Sequence, residues 1–277
     1  MTTINKKNDT LTYLQTGDTT KKPIMIIGSS IYYPKLFSNP IYKNLHFIFV
    51  THIGFTEVSP ENSAHSLDDV VNDIELIRAK LNITSMYLLG HSGHGFMAMA
   101  YAQKYPQYVL GIILSNLAPT NQKSRQELSI NYFEETASPE RKAFFYQEIA
   151  KLEQDIKDNP NKRFSYMNIR MQAHSFYDFT YAGAYLWDNL PNNMPALDYL
   201  WGEAFAEFDT EAFFANWKKP IILLLSEYDY LVAPTSLWNS ISKTYNVPVI
   251  KFDKSGHNPM LEEPIAYYKT LVDFIQN

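Results

Sequence analysis

The chain has 277 residues, 45% of them hydrophobic and 19% charged, with a formal net charge of −5. This is enough apolar material for a substantial core, and one domain with an insertion fits it better than two independent domains. The acidic balance, with basic residues in nothing longer than pairs such as Lys6-Lys7 and Lys21-Lys22, argues against a nucleic-acid partner, and the absence of cysteine removes disulfides, thiolate chemistry and cysteine-bound metal.

The first eight residues carry charge with no apolar stretch behind them, and no later apolar run approaches the ~18 residues that span a bilayer. The expectation is a cytoplasmic protein with no membrane partner. Ile24–Ile27 and His46–Val50 read as short buried strands. Between Ser66 and Leu81, apolar Leu67, Val70, Val71, Ile74, Ile77 and Leu81 recur at helical spacing, with Ser66 and Asp69 placed for a capping box.

The most informative stretch is Tyr87-Leu88-Leu89-Gly90-His91-Ser92-Gly93-His94-Gly95. An apolar run ends in glycine, a lone serine follows among small residues, and a helical segment begins. A serine on such a strand-to-helix turn is lifted clear of its neighbours, and the helix N-terminus behind it offers N–H groups to developing negative charge. The full GxSxG pattern would have glycine at position 94, where this chain has His94. Two roles are open for that imidazole: filling space with a local hydrogen bond, or lining the site and modifying its specificity. In the helix that follows, Gly95, Ala98 and Ala102 share a face suited to close packing on a sheet, and Pro106 stops it before a strand at Val109–Leu114.

From about Ala118 to Trp217 strand-like runs vanish and helical periodicity takes over, with about half of the chain's aromatic residues. Phe145, Ile149, Leu152 and Ile156 mark one amphipathic helix, Asp158-Asn159-Pro160-Asn161 punctuates it, and another begins near Arg163. Most of these aromatics serve packing, and Tyr199, Trp201 and Phe205 are candidates for a pocket lining. Glu203 and Glu207 lie four apart. They form either an exposed pair or a carboxylate facing the pocket, able to hold a substrate ammonium.

Pro220–Leu225 reads as a buried strand with Ser226-Glu227-Tyr228-Asp229 directly after it. A further strand-like run, Val249–Phe252, leads to Ser255-Gly256-His257-Asn258-Pro259, and a last helix opens at Pro264 with Ile265, Tyr268, Leu271 and Ile275 inward. A serine nucleophile needs a base to take its proton and a carboxylate to fix that base. Asp229 is the candidate acid and His257 the candidate base. The chain order Ser92, Asp229, His257 is that of α/β-hydrolases and differs from chymotrypsin and subtilisin.

From about residue 20 onward the chain resembles the α/β-hydrolase superfamily, particularly its proline iminopeptidase-like and small esterase branch. The resemblance rests on Asp73 to Pro119, around Leu88-Leu89-Gly90-His91-Ser92, and on Leu225 to Pro264, around Asp229 and Gly256-His257. It implies a mostly parallel central sheet with flanking helices, a core from residues 1–117 and 218–277, and a helical cap at 118–217. It further implies a Ser-His-Asp hydrolase acting through an acyl-enzyme on a small ester or amide, without metal or organic cofactor. An aminopeptidase, a carboxylesterase of short acyl esters and a catalytically weak ligand-binding member all stay open at this point. The oxyanion hole is expected from the N–H groups of Gly93 and of Ser30, with Ser29 the alternative, in Gly28-Ser29-Ser30-Ile31-Tyr32-Tyr33. The family's His-Gly pair is missing there. The expected partner is a small molecule or short peptide, and the chain a monomer or homodimer.

Overall fold

The structure, a computed structural model, describes residues 2–6, 9–57 and 66–276. Eight strands form one sheet: β1 Thr2–Lys6, β2 Asp9–Gly17, β3 Pro23–Gly28, β4 His46–Thr51, β5 Met86–His91, β6 Val109–Ser115, β7 Ile221–Ser226 and β8 Val249–Phe252. Their spatial order is β1-β2-β4-β3-β5-β6-β7-β8. The ladders from β4 to β8 are parallel, and β1 and β2 add an antiparallel edge. β3 to β7 are buried along almost their whole length, as strands covered on both faces must be, and so read as continuous apolar runs in place of alternation. The two antiparallel strands β1 and β2 lack that signature, and sequence patterning gave no sign of them.

Helix Leu67–Lys80 carries the expected capping box, with the Ser66 hydroxyl and the Asp69 carboxylate each bonded to the other's backbone N–H. It packs on helix His94–Lys104, which lies directly over β5. The crossing is very close, because a methyl group on Gly90 would lie 2.6 Å from the Gly95 Cα and one on Gly95 would lie 2.3 Å from Leu117 Cδ1. Gly90 and Gly95 therefore supply the close approach of strand and helix, which leaves position 94 free for a larger side chain.

Between β6 and β7 the regular elements of the described chain are all helical. The single amphipathic helix expected around Phe145–Ile156 is two, Pro139–Ile149 and Leu152–Asp158, separated at Ala150-Lys151. Arg170 straps them together by pairing with Glu148 at 2.7 Å and Asp155 at 2.6 Å. In the last helix, Pro264–Gln276, the inward face is centred on Tyr267 and Leu271, while Ile265 is 61% exposed. Leu271 is buried as expected and Tyr268 and Ile275 pack against the core, while Tyr267, which covers Phe37 and Phe252, takes the inward place expected of Ile265.

Candidate active site

All the residues of interest sit at the carboxyl ends of the parallel strands, where open α/β sheets place their ligands. Ser92 follows β5 with φ of +56°, a left-handed conformation that costs a non-glycine residue about 1–2 kcal/mol. The turn is held against that strain. Ser92 N–H donates to Ser115 O at 2.9 Å, and the Ser92 and Gly93 carbonyls accept the first helical N–H groups, from Gly95 at 2.9 Å and Phe96 at 3.1 Å. The Ser92 hydroxyl makes no hydrogen bond among the described residues. Glycine at position 93 makes room for two rings, since a Cβ there would meet Phe205 Cε2 at 2.8 Å and Trp201 Cε2 at 3.0 Å and would push them aside.

Asp229 lies in the turn after β7 and is 2% exposed. Its Oδ2 accepts from His257 Nδ1 at 2.7 Å and Asn116 Nδ2 at 2.8 Å, and its Oδ1 from Leu231 N–H at 3.1 Å. A carboxylate so bonded orients the imidazole and fixes Nε2 as its free acceptor. Asn116, at φ of +48° on the end of β6, also donates to Gly256 O at 3.1 Å, so one amide ties the acid to the loop of the base. Sequence reading passed over Asn116. An asparagine just past a buried strand was the available signal. The same loop is clamped by Glu262, which accepts from Gly256 N–H and Tyr177 N–H, and burial pushes its carboxyl up to about 7.

Three buried histidines and a tyrosine form a continuous chain behind the turn. Gly54 N–H donates to His52 Nδ1 at 3.0 Å, so the proton of neutral His52 is on Nε2, which faces His94 Nε2 at 3.1 Å. His94 must then carry its proton on Nδ1, beside Tyr33 Oη at 2.8 Å and His91 O at 3.1 Å. Tyr33 Oη lies 3.1 Å from His91 Nδ1, and His91 Nε2 lies 2.7 Å from His257 O. That carbonyl can only accept, so His91 is protonated on Nε2 and receives the tyrosine proton on Nδ1. Every proton in the chain has one direction, fixed by a backbone N–H at one end and a backbone C=O at the other. Burial holds all three imidazoles neutral: His52 is lowered to about 3, and His91 and His94 lie well below the ordinary histidine value. His94 both bonds locally and borders the cavity. Among the described residues no cluster of histidine or carboxylate side chains is placed to hold a metal ion. His65 lies outside the described residues.

Ser92, Gly93, His94 and His257 line one cavity of about 360 Å³, together with Tyr32, Phe55, Phe164, Trp187 and Trp201 from the core and the helical segment, and Arg125. Of the expected pocket aromatics only Trp201 borders it. Phe205 is fully buried one layer back, stacked on Phe96 with centroids 5.3 Å apart. Tyr199 and Glu207 line a separate surface groove with Leu67 and Gln103, and Glu203 is exposed. Residues two apart on a helix point to nearly opposite sides, so Tyr199 and Glu203 face away from the cavity that Trp201 borders, and a π-helical turn runs through this stretch at Leu200–Ala204.

The second oxyanion donor also needs correction. Ser30 N–H donates to Thr51 Oγ1 at 2.9 Å, and Ser30 does not border the cavity. The next N–H groups, of Ile31 and Tyr32, both bond to Ser29 Oγ. With serines in place of the His-Gly pair, hydroxyls compete for the backbone donors of this loop.

Residues 27–264 match the alpha/beta hydrolase fold family. The chain is 46% identical over 248 residues, 88% of its own length and 88% of the relative's, to the AB hydrolase superfamily protein YclE of Bacillus subtilis. It is 29% identical over 112 residues, 40% of its length and 36% of the relative's, to a proline iminopeptidase of Flavobacterium johnsoniae. Among solved structures, an alpha/beta fold family hydrolase from Bacillus anthracis superposes with a TM-score of 0.71 at 19% identity, covering 99% of this chain and 98% of that one. An esterase from Exiguobacterium antarcticum gives 0.69 at 15% identity, covering 97% and 96%. With its parallel sheet, its positive-φ serine turn after β5 and a family match running from β3 to the last helix, the chain belongs to the α/β-hydrolase family.

Proposed function

We propose that the protein is a serine esterase that works through an acyl-enzyme on Ser92. The observation that carries this reading is His257, which is bonded to the anchored Asp229 at 2.7 Å and borders the same cavity as the strained Ser92. Ser92 Oγ attacks the ester carbonyl and its proton passes to His257 Nε2. The imidazolium then gives that proton to the departing alkoxide. Water attacks the acyl-enzyme with His257 again taking the proton, and the acid leaves as Ser92 recovers its hydrogen. Asp229 stays ionised throughout and balances the imidazolium. The developing oxyanion faces Gly93 N–H and the positive end of helix His94–Lys104.

An ester is favoured over an N-terminal residue amide because neither Glu203 nor Glu207 borders the cavity, which leaves a substrate ammonium without a carboxylate to replace its hydration. A fluorophosphonate probe is expected to label the native protein and not Ser92→Ala, and the native protein is expected to hydrolyse short acyl esters but not prolyl arylamide. Absence of labelling would point instead to a binding protein on this scaffold, and arylamide cleavage to an aminopeptidase.

A further inference from the structure

Arg125 opens helix Lys123–Thr136 and borders the same cavity as Ser92 and His257, yet it is only 8% exposed. Among the described residues no carboxylate is bonded to it. Nη1 donates to Leu231 O at 2.8 Å and Ser129 Oγ at 3.2 Å, and Nη2 donates to Asn121 Oδ1 at 2.7 Å. Three of its five N–H groups are thus spent on neutral oxygens, and Nε is buried with no partner at all. The uncharged groups around it, Thr120, Asn121, Gln126 and Asn168, form a polar end to the cavity, and among the described residues neither Asp nor Glu lines it. Burial lowers the guanidinium from its usual value, with the charge of Asp229 acting in the opposite sense. An unpaired buried cation is costly, and that cost is recovered when an anion enters beside it.

Resting on the esterase reading, we infer that the substrate is an ester that also bears a carboxylate, which Arg125 receives in the cavity while the ester carbonyl sits at Ser92. A strictly structural Arg125 would only tie the loop after Asp229 to its helix, through Leu231 O, and would lower turnover of every ester alike.

Two matched pairs test the assignment: p-nitrophenyl hemiglutarate against its methyl-capped form, and a butyrate ester of 4-hydroxybenzoate against the same ester of methyl 4-hydroxybenzoate. The native protein is expected to prefer the free carboxylate in at least one pair by about thirtyfold or more in kcat/KM, the scale of a charge pair in a desolvated site. In Arg125→Met that ratio should fall to about 1 whatever the absolute rates, while Arg125→Lys keeps part of it because the charge remains. Glutarate binding to Ser92→Ala, followed by calorimetry, needs no turnover and should disappear in Ser92→Ala with Arg125→Met. Ester hydrolysis with no carboxylate preference in either pair, or a preference that survives in Arg125→Met, overturns the inference and leaves the esterase reading intact. No hydrolysis of any ester together with Arg125-dependent glutarate binding overturns the esterase reading alone.

Discussion

Substituting His94→Gly completes the GxSxG pattern, and on the structure it should damage the protein. The imidazole is buried and bonded on both nitrogens, to His52 Nε2 at 3.1 Å and to Tyr33 Oη at 2.8 Å. Removing it orphans the His52 Nε2–H, at about 1–3 kcal/mol for a buried donor without a partner. The emptied volume, ringed by Tyr33, Phe55 and Trp201 with centroids 5.4 to 5.9 Å away, adds about 2–3 kcal/mol. Water entering a polar cavity recovers part of this, so the net loss should be about 4 kcal/mol. For a chain of this size that is a fall in melting temperature of about 10 °C by calorimetry. His94→Ala should fall by the same amount, since the cost lies in the ring and not in backbone freedom. A His94→Gly protein melting within about 2 °C of the parent would refute the directional chain.

Lowering the pH should destabilise the protein steeply. Four histidines are buried neutral in the folded state, His52 and His174 at about 3 and His91 and His94 well below the usual value. Their folded values lie under the unfolded one, so their contribution is complete above about pH 6.5 and is lost as the pH falls from there, for His52 and His174 by roughly 2 kcal/mol each between pH 7 and 5. Urea midpoints from pH 7.5 to 4.5 check this, and a flat profile would contradict it; His94→Gln should flatten the slope by about one proton. Gly90→Ala puts a methyl 2.6 Å from the Gly95 backbone, forcing strand and helix apart at about 3 kcal/mol, which denaturant unfolding would register. Asn116→Ala removes one of the three donors that hold Asp229 and the tie to Gly256 O. It should cut kcat on a good ester substrate about tenfold or more with little change in KM, whereas an unchanged kcat would mean that the acid needs no such support.

Much of the fold was legible in the sequence because its signals are local. Buried parallel strands write themselves as apolar runs, the capping box at Ser66 and Asp69 needs only three residues of spacing, and glycines flank Ser92 because a tight strand-to-helix turn admits little else. The chain order of Ser92, Asp229 and His257 could be read for the same reason, since each residue follows a strand.

What tertiary structure alone decided was which groups meet across distance. No pattern in the sequence joins His52, Tyr33, His94 and His91 into one directional hydrogen-bonded chain, or makes Asn116 the link between Asp229 and Gly256. Packing put Phe205 behind the cavity wall against Phe96 and left Glu203 exposed, and the Thr51 hydroxyl took the Ser30 N–H expected to face the oxyanion. Nothing in the sequence singled out Arg125. Only the packing around it shows a charge buried at the edge of the cavity with no counter-ion bonded to it among the described residues, because burial and partnership depend on residues a hundred positions away.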